Sequence, residues 1–260
     1  MDEARAGSEG YTSDEMMTVT ASRSLRNGQV CFVGIGLPSE AANMARLTHA
    51  PEVVLIYESG TIGTAPDVLP LSIGDGELAE RADLVVSVPE VFSYWLQGGR
   101  VDVGFLSAAQ IDRFGNLNTT VIGSYRDPKV RLPGAGGAPE IASSAREVTV
   151  MLRHSRRSLV PEVDFITSVG FGPAGEGRAG HQGRGPTAVI TNLGVLAPDP
   201  DTNELILVAA HPGVDLDTVI EETGWELRFA PDLRFGEPPT DDELAVLRDL
   251  KMRTERAHMQ

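Results

Sequence analysis

The stretch "VVLIYESGTIG", residues 53–63, runs from an apolar, β-branched segment into a carboxylate and a glycine turn. A continuous run such as "VVLIY" suits a strand covered on both faces, the pattern of a sheet with helices packed against it. Glu58 follows where the run stops, with Ser59 and Gly60 behind it. These residue types leave two readings open. One is a solvated carboxylate at a strand end; the other is a nucleophile aimed into a cleft at the carboxyl end of a strand, where open α/β sheets bind their ligands.

The segments on either side repeat the alternation. Thr12 and Glu15 form a capping box ahead of a helix through about Arg26, which Asn27-Gly28 ends. "QVCFVGIG" reads as a buried strand entering a glycine turn, and Pro38 suits the first turn of the helix "SEAANMARLT". Further strands are expected at "LVVSV" (84–88), "VDVGFLS" from Val101, "EVTVMLR" (147–153), "DFITSV" (164–169), "TAVIT" (187–191) and "ELILVAA" (204–210). "LAPDPDTNEL" between the last two reads as a hairpin turn, and the capping box at Thr240 opens a last helix. The fold class that follows is α/β, an open, mixed, mostly parallel sheet flanked by helices. A single domain is expected over 11–260, behind a disordered leader, "MDEARAGSEG", at 1–10. The Gly-rich stretch 170–186 reads as a mobile loop inside that domain.

The chain of 260 residues carries 37 acidic and 22 basic side chains, a formal net charge of -15. So negative a surface repels phosphate backbones and argues against nucleic-acid binding. The single cysteine, Cys31, excludes an intramolecular disulfide and a cysteine metal cage, and suits a reducing cytoplasm. No signal-peptide pattern is visible at the N-terminus, and no apolar run approaches the ~20 residues a membrane span needs, so a soluble cytoplasmic protein without a membrane partner is expected.

Several motifs fail on inspection. "GIGLPS" (34–39) has the first two glycines of a dinucleotide fingerprint, but Ser39 holds the place of the third. No P-loop is present, and "YESGT" lacks the first glycine of a nucleophile elbow, which removes Ser59 as a serine nucleophile. None of the five histidines pairs at metal-ligand spacing, so no metal site is expected; His211 in "AHPGV" reads as structural. Cys31 lies inside an apolar strand and reads as packing. What is left is a set of glycine turns, "GIG" (34–36), "ESGTIG" (58–63), "SIGDGE" (72–77) and "PGAGGAPE" (133–140). Glycines there let backbone N–H groups approach a ligand closely, and together with Glu58 they suggest a site for a developing oxyanion.

"YESG" at 57–60 followed by "GAGGA" at 134–138 resembles the paired signature of the B subunits of family I CoA-transferases. The likeness runs from "YTSDEMMTVTASRSLRNGQVCFVGIGLPSEAANMARLTHAPEVVLIYESG" through "DVGFLSAAQIDRFGNLNTTVIGSYRDPKVRLPGAGGAPEIA" to "DFITSVG". The resemblance implies the CoA-transferase fold, with Glu58 as nucleophile and the backbone N–H groups of Gly136 and Gly137 as oxyanion donors. It places Gly34, Gly36, Ser59, Gly60, Gly134, Ala135 and Ala138 beside substrate and CoA. It also implies a partner A subunit, in a heterodimer or heterotetramer, and no cofactor, the CoA thioester being a substrate. One departure stands out: "RAGHQGRGPTAVIT" lacks the family's "LGLPG"-like element.

The activity so implied is transfer of CoA from succinyl-CoA to a short 3-oxo acid, 3-oxoadipate favoured, in the breakdown of aromatic compounds. Glutaconate or another dicarboxylate as acceptor is the alternative within the family, and an acyl-CoA or ring-opening hydrolase is the alternative on the same fold. The chemistry suits the residues. Glutamate side chains are ordinarily ionised at neutral pH and can relay an acyl group through an anhydride and a thioester. Because CoA is itself anionic, either local arginines (Arg131, Arg178 or Arg184) or the partner must supply phosphate contacts, and the partner is favoured.

Overall fold

The computed structural model describes residues 10–259, so the leader expected over 1–10 lies, apart from Gly10, outside the described residues. The chain divides into two compact units, one built from the residues up to Phe105 together with those from Pro238 onward, the other from Leu106–Glu237.

In the first unit α1 (Ser13–Ser24) starts on the expected capping box: Thr12 Oγ1 accepts from the Glu15 N–H and the Glu15 carboxylate accepts from the Thr12 N–H. It leads to β1 (Val30–Val33), α2 (Leu37–Leu47), β2 (Val54–Ile56) and β3 (Thr61–Ile62). Next come α3 (Gly76–Glu80), β4 (Leu84–Val85), α4 (Val88–Glu90) with a π-helical turn over Val91–Leu96, and β5 (Val103–Ser107). β1 pairs in parallel with β2, Cys31 opposite Leu55, and with β5, Phe32 opposite Gly104. Phe32, Leu55 and Ile56 are fully buried, as the unbroken apolar runs require of strands covered on both faces. β3 turns back antiparallel on β2, Ile56 opposite Ile62, and β4 pairs antiparallel with β3. "LVVSV" therefore yields only the two exposed residues of β4 before Ser87 caps a helical turn through Glu90.

The second unit centres on β10 (Glu147–Met151), parallel to β12 (Pro186–Ile190), followed antiparallel by β13 (Gly194–Pro198) and β14 (Leu205–Ala210). β15 (Phe229–Phe235) lies parallel to β14. Short strands β6 (Gln110–Asp112), β7 (Leu117–Asn118) and β11 (Leu159–Val160) form a second sheet, and β8 (Val121–Gly123) with β9 (Pro128–Arg131) a hairpin. α5 (Ala138–Ser144) and α6 (Leu216–Glu221) complete the unit. The "LAPDPDTNEL" hairpin is present, with Pro198 opposite Leu205 and Asn203 at φ 59°, but its first arm is β13, a strand that sequence patterning does not reveal.

"DFITSV" is not a strand. Its Asp164 carboxylate accepts from Gln110 Nε2 and from the Gly123 N–H, and the N–H groups of Thr167 and Ser168 both turn to the Leu117 carbonyl. One isolated bridge, Leu117 to Ser168, is all that remains of a ladder. Side-chain hydrogen bonds have taken the backbone's partners, which is how Asp, Ser and Thr compete with regular structure.

The chain returns to the first unit as α7 (Asp241–His258), opened by the Thr240 capping box. Val19 of α1, Met44 of α2 and Leu247 of α7 form one buried cluster. Ion pairs Arg23–Glu243 (2.6 Å), Arg248–Glu15 (2.7 Å) and Lys251–Glu40 (2.9 Å) rim it. Among the described residues no helix is long and apolar enough to cross a membrane.

Candidate functional site

Glu58 occupies the tip of a four-residue turn. The Gly60 N–H donates to the Tyr57 carbonyl at 3.0 Å, and the Tyr57 N–H donates to the Thr61 carbonyl at 3.1 Å, so Glu58 and Ser59 are the two central residues between β2 and β3. Gly60 has φ 97°, a region L side chains avoid, and its carbonyl accepts from the Val86 N–H at 2.9 Å. A Cβ at Gly60 would overlap the Val86 carbonyl oxygen. Only glycine closes the turn there, and closing it leaves Glu58 partly exposed at the carboxyl end of β2.

The turn is anchored from below by Tyr57, which is fully buried. Its hydroxyl lies 2.7 Å from Ser39 Oγ and accepts from Asn43 Nδ2 at 3.2 Å. Ser39 and Asn43 sit four residues apart on α2, hence on one helix face, and both are buried. Burial pushes the Tyr57 hydroxyl up to about 12, so it works as a neutral hydrogen-bonding group. The residue that spoiled the dinucleotide fingerprint, Ser39, thus serves the glutamate turn instead.

The "GIG" turn leaves β1 at the same end as β2 presents Glu58, since the two strands are parallel. The Gly34 N–H donates to the Phe105 carbonyl at 3.2 Å, and a Cβ on Gly34 would press on that oxygen at 3.0 Å. Gly36, at φ 84°, is the N-cap of α2, and its carbonyl accepts from the Glu40 N–H. Gly34, Gly36, Glu58, Ser59 and Gly60 are therefore brought to one edge of the first unit. Ser59 adds a buried hydroxyl with no hydrogen-bond partner among the described residues. Cys31, buried within β1, has its thiol pushed up by desolvation and is packing, as its place in an apolar strand suggested.

The second group, Gly134 to Ala138, lies in the other unit, between β9 and α5. The Gly134 N–H is taken by the Thr119 carbonyl at 2.8 Å and the Ala138 N–H by the Ala135 carbonyl at 3.1 Å. Gly134 (φ 105°) and Gly136 (φ 50°) bend the chain so that Gly137 becomes the N-cap of α5. The Gly136 N–H, exposed, has no partner among the described residues and is available to an incoming oxygen. α5 is closed at its other end by the Gly-rich loop that its composition marked as mobile. Arg178 donates to the carbonyls of Ala142 (2.6 Å), Gly170 (2.7 Å), Gly183 (2.8 Å) and Val169 (3.2 Å). The Gly183 N–H donates to the Ser143 carbonyl.

The arginines considered for phosphate contacts are engaged. Arg178 is spent on four carbonyls, Arg184 pairs with Glu147 at 3.0 Å, and Arg131 donates to the Tyr125 carbonyl and lies over its ring, 4.9 Å from the centroid. His211 is buried with Nε2–H donating to the Thr191 carbonyl at 2.8 Å, a structural histidine. Sequence reasoning missed the support that Ser39 and Asn43 give Tyr57, and named Arg178 for phosphate contacts where the structure has it on backbone carbonyls. The signal that could have found the first two was a tyrosine ending an apolar strand, since a buried hydroxyl needs partners.

A family model described as coenzyme A transferase matches residues 14–222. The B subunit of the 3-oxoadipate CoA-transferase of Pseudomonas knackmussii is 62% identical over 252 residues, 96% of this chain and 97% of that protein. The B subunit of the glutaconate CoA-transferase of Acidaminococcus fermentans is 36% identical over 236 residues, 88% of each chain. The crystal structure of glutaconate coenzyme A-transferase from the same species matches with a TM-score of 0.84 at 33% identity, over 92% of this chain and 94% of that one.

Proposed function

Because this chain belongs to the coenzyme A transferase family, as a B subunit, we propose that with its A subunit it moves CoA from succinyl-CoA to a 3-oxo acid, 3-oxoadipate foremost. The observation that carries the acceptor is the 62% identity, over almost the whole chain, to the B subunit of a 3-oxoadipate CoA-transferase. Glutaconate is the second reading, supported by the more distant 36% relative.

In this reading the Glu58 carboxylate attacks the thioester carbonyl of succinyl-CoA, forming a mixed anhydride and releasing CoA thiolate. The thiolate attacks the glutamyl carbonyl, forming a glutamyl-CoA thioester and releasing succinate. The acceptor carboxylate then attacks that thioester and the two steps run in reverse, leaving Glu58 as it began. Each addition places negative charge on a carbonyl oxygen, and the N–H groups of Gly136 and Gly137 serve as its donors. Loss of one such donor ordinarily costs about 3–4 kcal/mol of transition-state stabilisation. The fixed turn at Tyr57–Gly60 supports the assignment of Glu58, since a nucleophile gains from being held at one position. With Arg131, Arg178 and Arg184 engaged, the A subunit supplies the phosphate contacts to CoA. The buried, lone Cys31 suits residence in the cytoplasm.

Intact-mass measurement tests the relay. The chain co-produced with its A subunit and incubated with succinyl-CoA gains the mass of CoA less one water; Glu58→Gln does not. Release of CoA without any adduct would instead mean hydrolysis, and an acceptor panel of 3-oxoadipate, acetoacetate and glutaconate then ranks the acids.

A further inference from the structure

Within the second unit a cavity of about 280 Å³ is lined by Ser107, Ala108, Ala109, Thr119, Leu132 and Pro133, with Gly134 as its remaining wall. Gly134 is the first residue of the glycine turn that holds the proposed oxyanion donors. The volume sits near the lower edge of the roughly 300–1,000 Å³ common for small-molecule sites, so it suits a chain of a few carbons and not a nucleotide. No ionisable side chain lines it. An unpaired carboxylate buried there would be costly, so a dicarboxylic ligand keeps its free carboxylate toward solvent.

Thr119 is the unusual wall. Its backbone is held on both sides, the N–H donating to Thr167 Oγ1 at 3.0 Å and the carbonyl accepting from the Gly134 N–H at 2.8 Å. Its hydroxyl is buried and has no hydrogen-bond partner among the described residues. Buried hydroxyls are ordinarily satisfied, and this one, just behind the cavity surface, lacks an acceptor among the described residues. A rotation about χ1 carries the hydroxyl to another staggered position, facing the cavity, without moving the fixed backbone.

Resting on the transferase reading above, we propose that this cavity holds the acyl chain, and that the Thr119 hydroxyl is a specificity-determining group that donates a hydrogen bond to the 3-oxo carbonyl of the substrate. The small side chains of Ala108 and Ala109 leave room for the methylenes. Succinyl groups, which lack the ketone, occupy the same space without that bond.

The test uses the enzyme assembled with its A subunit and two acceptors for succinyl-CoA, 3-oxoadipate and isotope-labelled succinate. Thr119→Val keeps the shape and removes the hydroxyl, and kcat/KM for 3-oxoadipate falls roughly three- to tenfold while succinate exchange is unchanged. Thr119→Ser keeps the 3-oxoadipate rate within about twofold of wild type. An unchanged ratio of the two acceptors in Thr119→Val overturns the proposal, and so does an equal fall for both, which means a merely structural threonine. Failure of the underlying reading looks different: wild type then shows no succinate exchange, or exchanges succinate without accepting 3-oxoadipate.

Discussion

Arg178 Nη2 lies 2.6 Å from the carbonyl oxygen of Ala142, across 36 residues of chain. The contact closes the carboxyl end of α5, whose last carbonyls lack partners within the helix. The same guanidinium fixes Val169, Gly170 and Gly183, so one planar fork ties the helix behind the glycine turn to the divergent loop. Arg178→Ala leaves these carbonyls unsatisfied and lowers stability by roughly 2–3 kcal/mol in urea unfolding, with Arg178→Lys intermediate because an ammonium cannot reproduce the fork. Adduct formation from succinyl-CoA slows as the turn loosens. An unshifted unfolding midpoint with a raised KM for succinyl-CoA would return Arg178 to phosphate binding.

Tyr57→Phe removes a hydroxyl that both Ser39 and Asn43 meet in the core. The two helix side chains are left with an unpaired contact, costing about 1–3 kcal/mol. The unfolding midpoint falls, and the rate of CoA adduct formation falls with it, because the next residue is the nucleophile. A fall in stability with an unchanged adduct rate would show that the anchor does not govern Glu58.

Much of this architecture could be read from sequence because it rests on local rules. The runs at 30–33 and 54–56 are unbroken and apolar, 147–151 is rich in β-branched residues, and both capping boxes, at Thr12 and Thr240, stand where sequence spacing put them. β15 was hidden by its composition: "FAPDLRF" is mostly exposed and carries Pro231, which only an edge strand tolerates. "DFITSV" looked like a strand because its apolar and β-branched content is high, yet its polar side chains pair elsewhere. The glycine turns could be read from their residues, whereas the contacts that support them could not. Ser39 and Tyr57 are 18 residues apart and Arg178 and Ala142 36, and contacts of that reach leave no periodic trace.

Gly36 and Gly60, two of the positive-φ glycines of the first unit, separate conformational from steric demand. Gly36 (φ 84°) has open space around a built Cβ, whereas Gly60 (φ 97°) has the Val86 carbonyl in the way. Gly36→Ala therefore costs only the backbone term, about 1–3 kcal/mol. Gly60→Ala adds an overlap with backbone that cannot turn aside, and it displaces the Glu58 turn. Thermal unfolding of the pair distinguishes them: Gly36→Ala lowers the midpoint by the backbone term alone, whereas Gly60→Ala lowers it further and loses adduct formation. Equal losses in both variants would mean the overlap at Val86 is relieved at little expense.

His154 sets the acid limit of the second unit. Its ring is buried, with Nδ1 3.1 Å from Thr191 Oγ1 and Nε2 2.9 Å from Thr223 Oγ1. The Thr223 hydroxyl donates to the Val219 carbonyl at 2.7 Å and so accepts from Nε2–H. The Thr191 hydroxyl also lies within donating distance of the Gly194 carbonyl, at 3.0 Å. Burial disfavours the charged ring, and this desolvation holds the imidazole down at about 4. Between that value and the ordinary ~6.5 the unfolded chain binds the proton and the folded chain does not. Stability from this group is complete above about pH 6.5 and is lost as pH falls toward 4, with a slope of at most about 1.4 kcal/mol per pH unit. His211, also buried and lowered by desolvation, adds in the same direction. Urea unfolding at several pH values between 7 and 4 reads this directly. The wild-type midpoint declines across the window and His154→Gln declines less; equal slopes would place the acid sensitivity elsewhere.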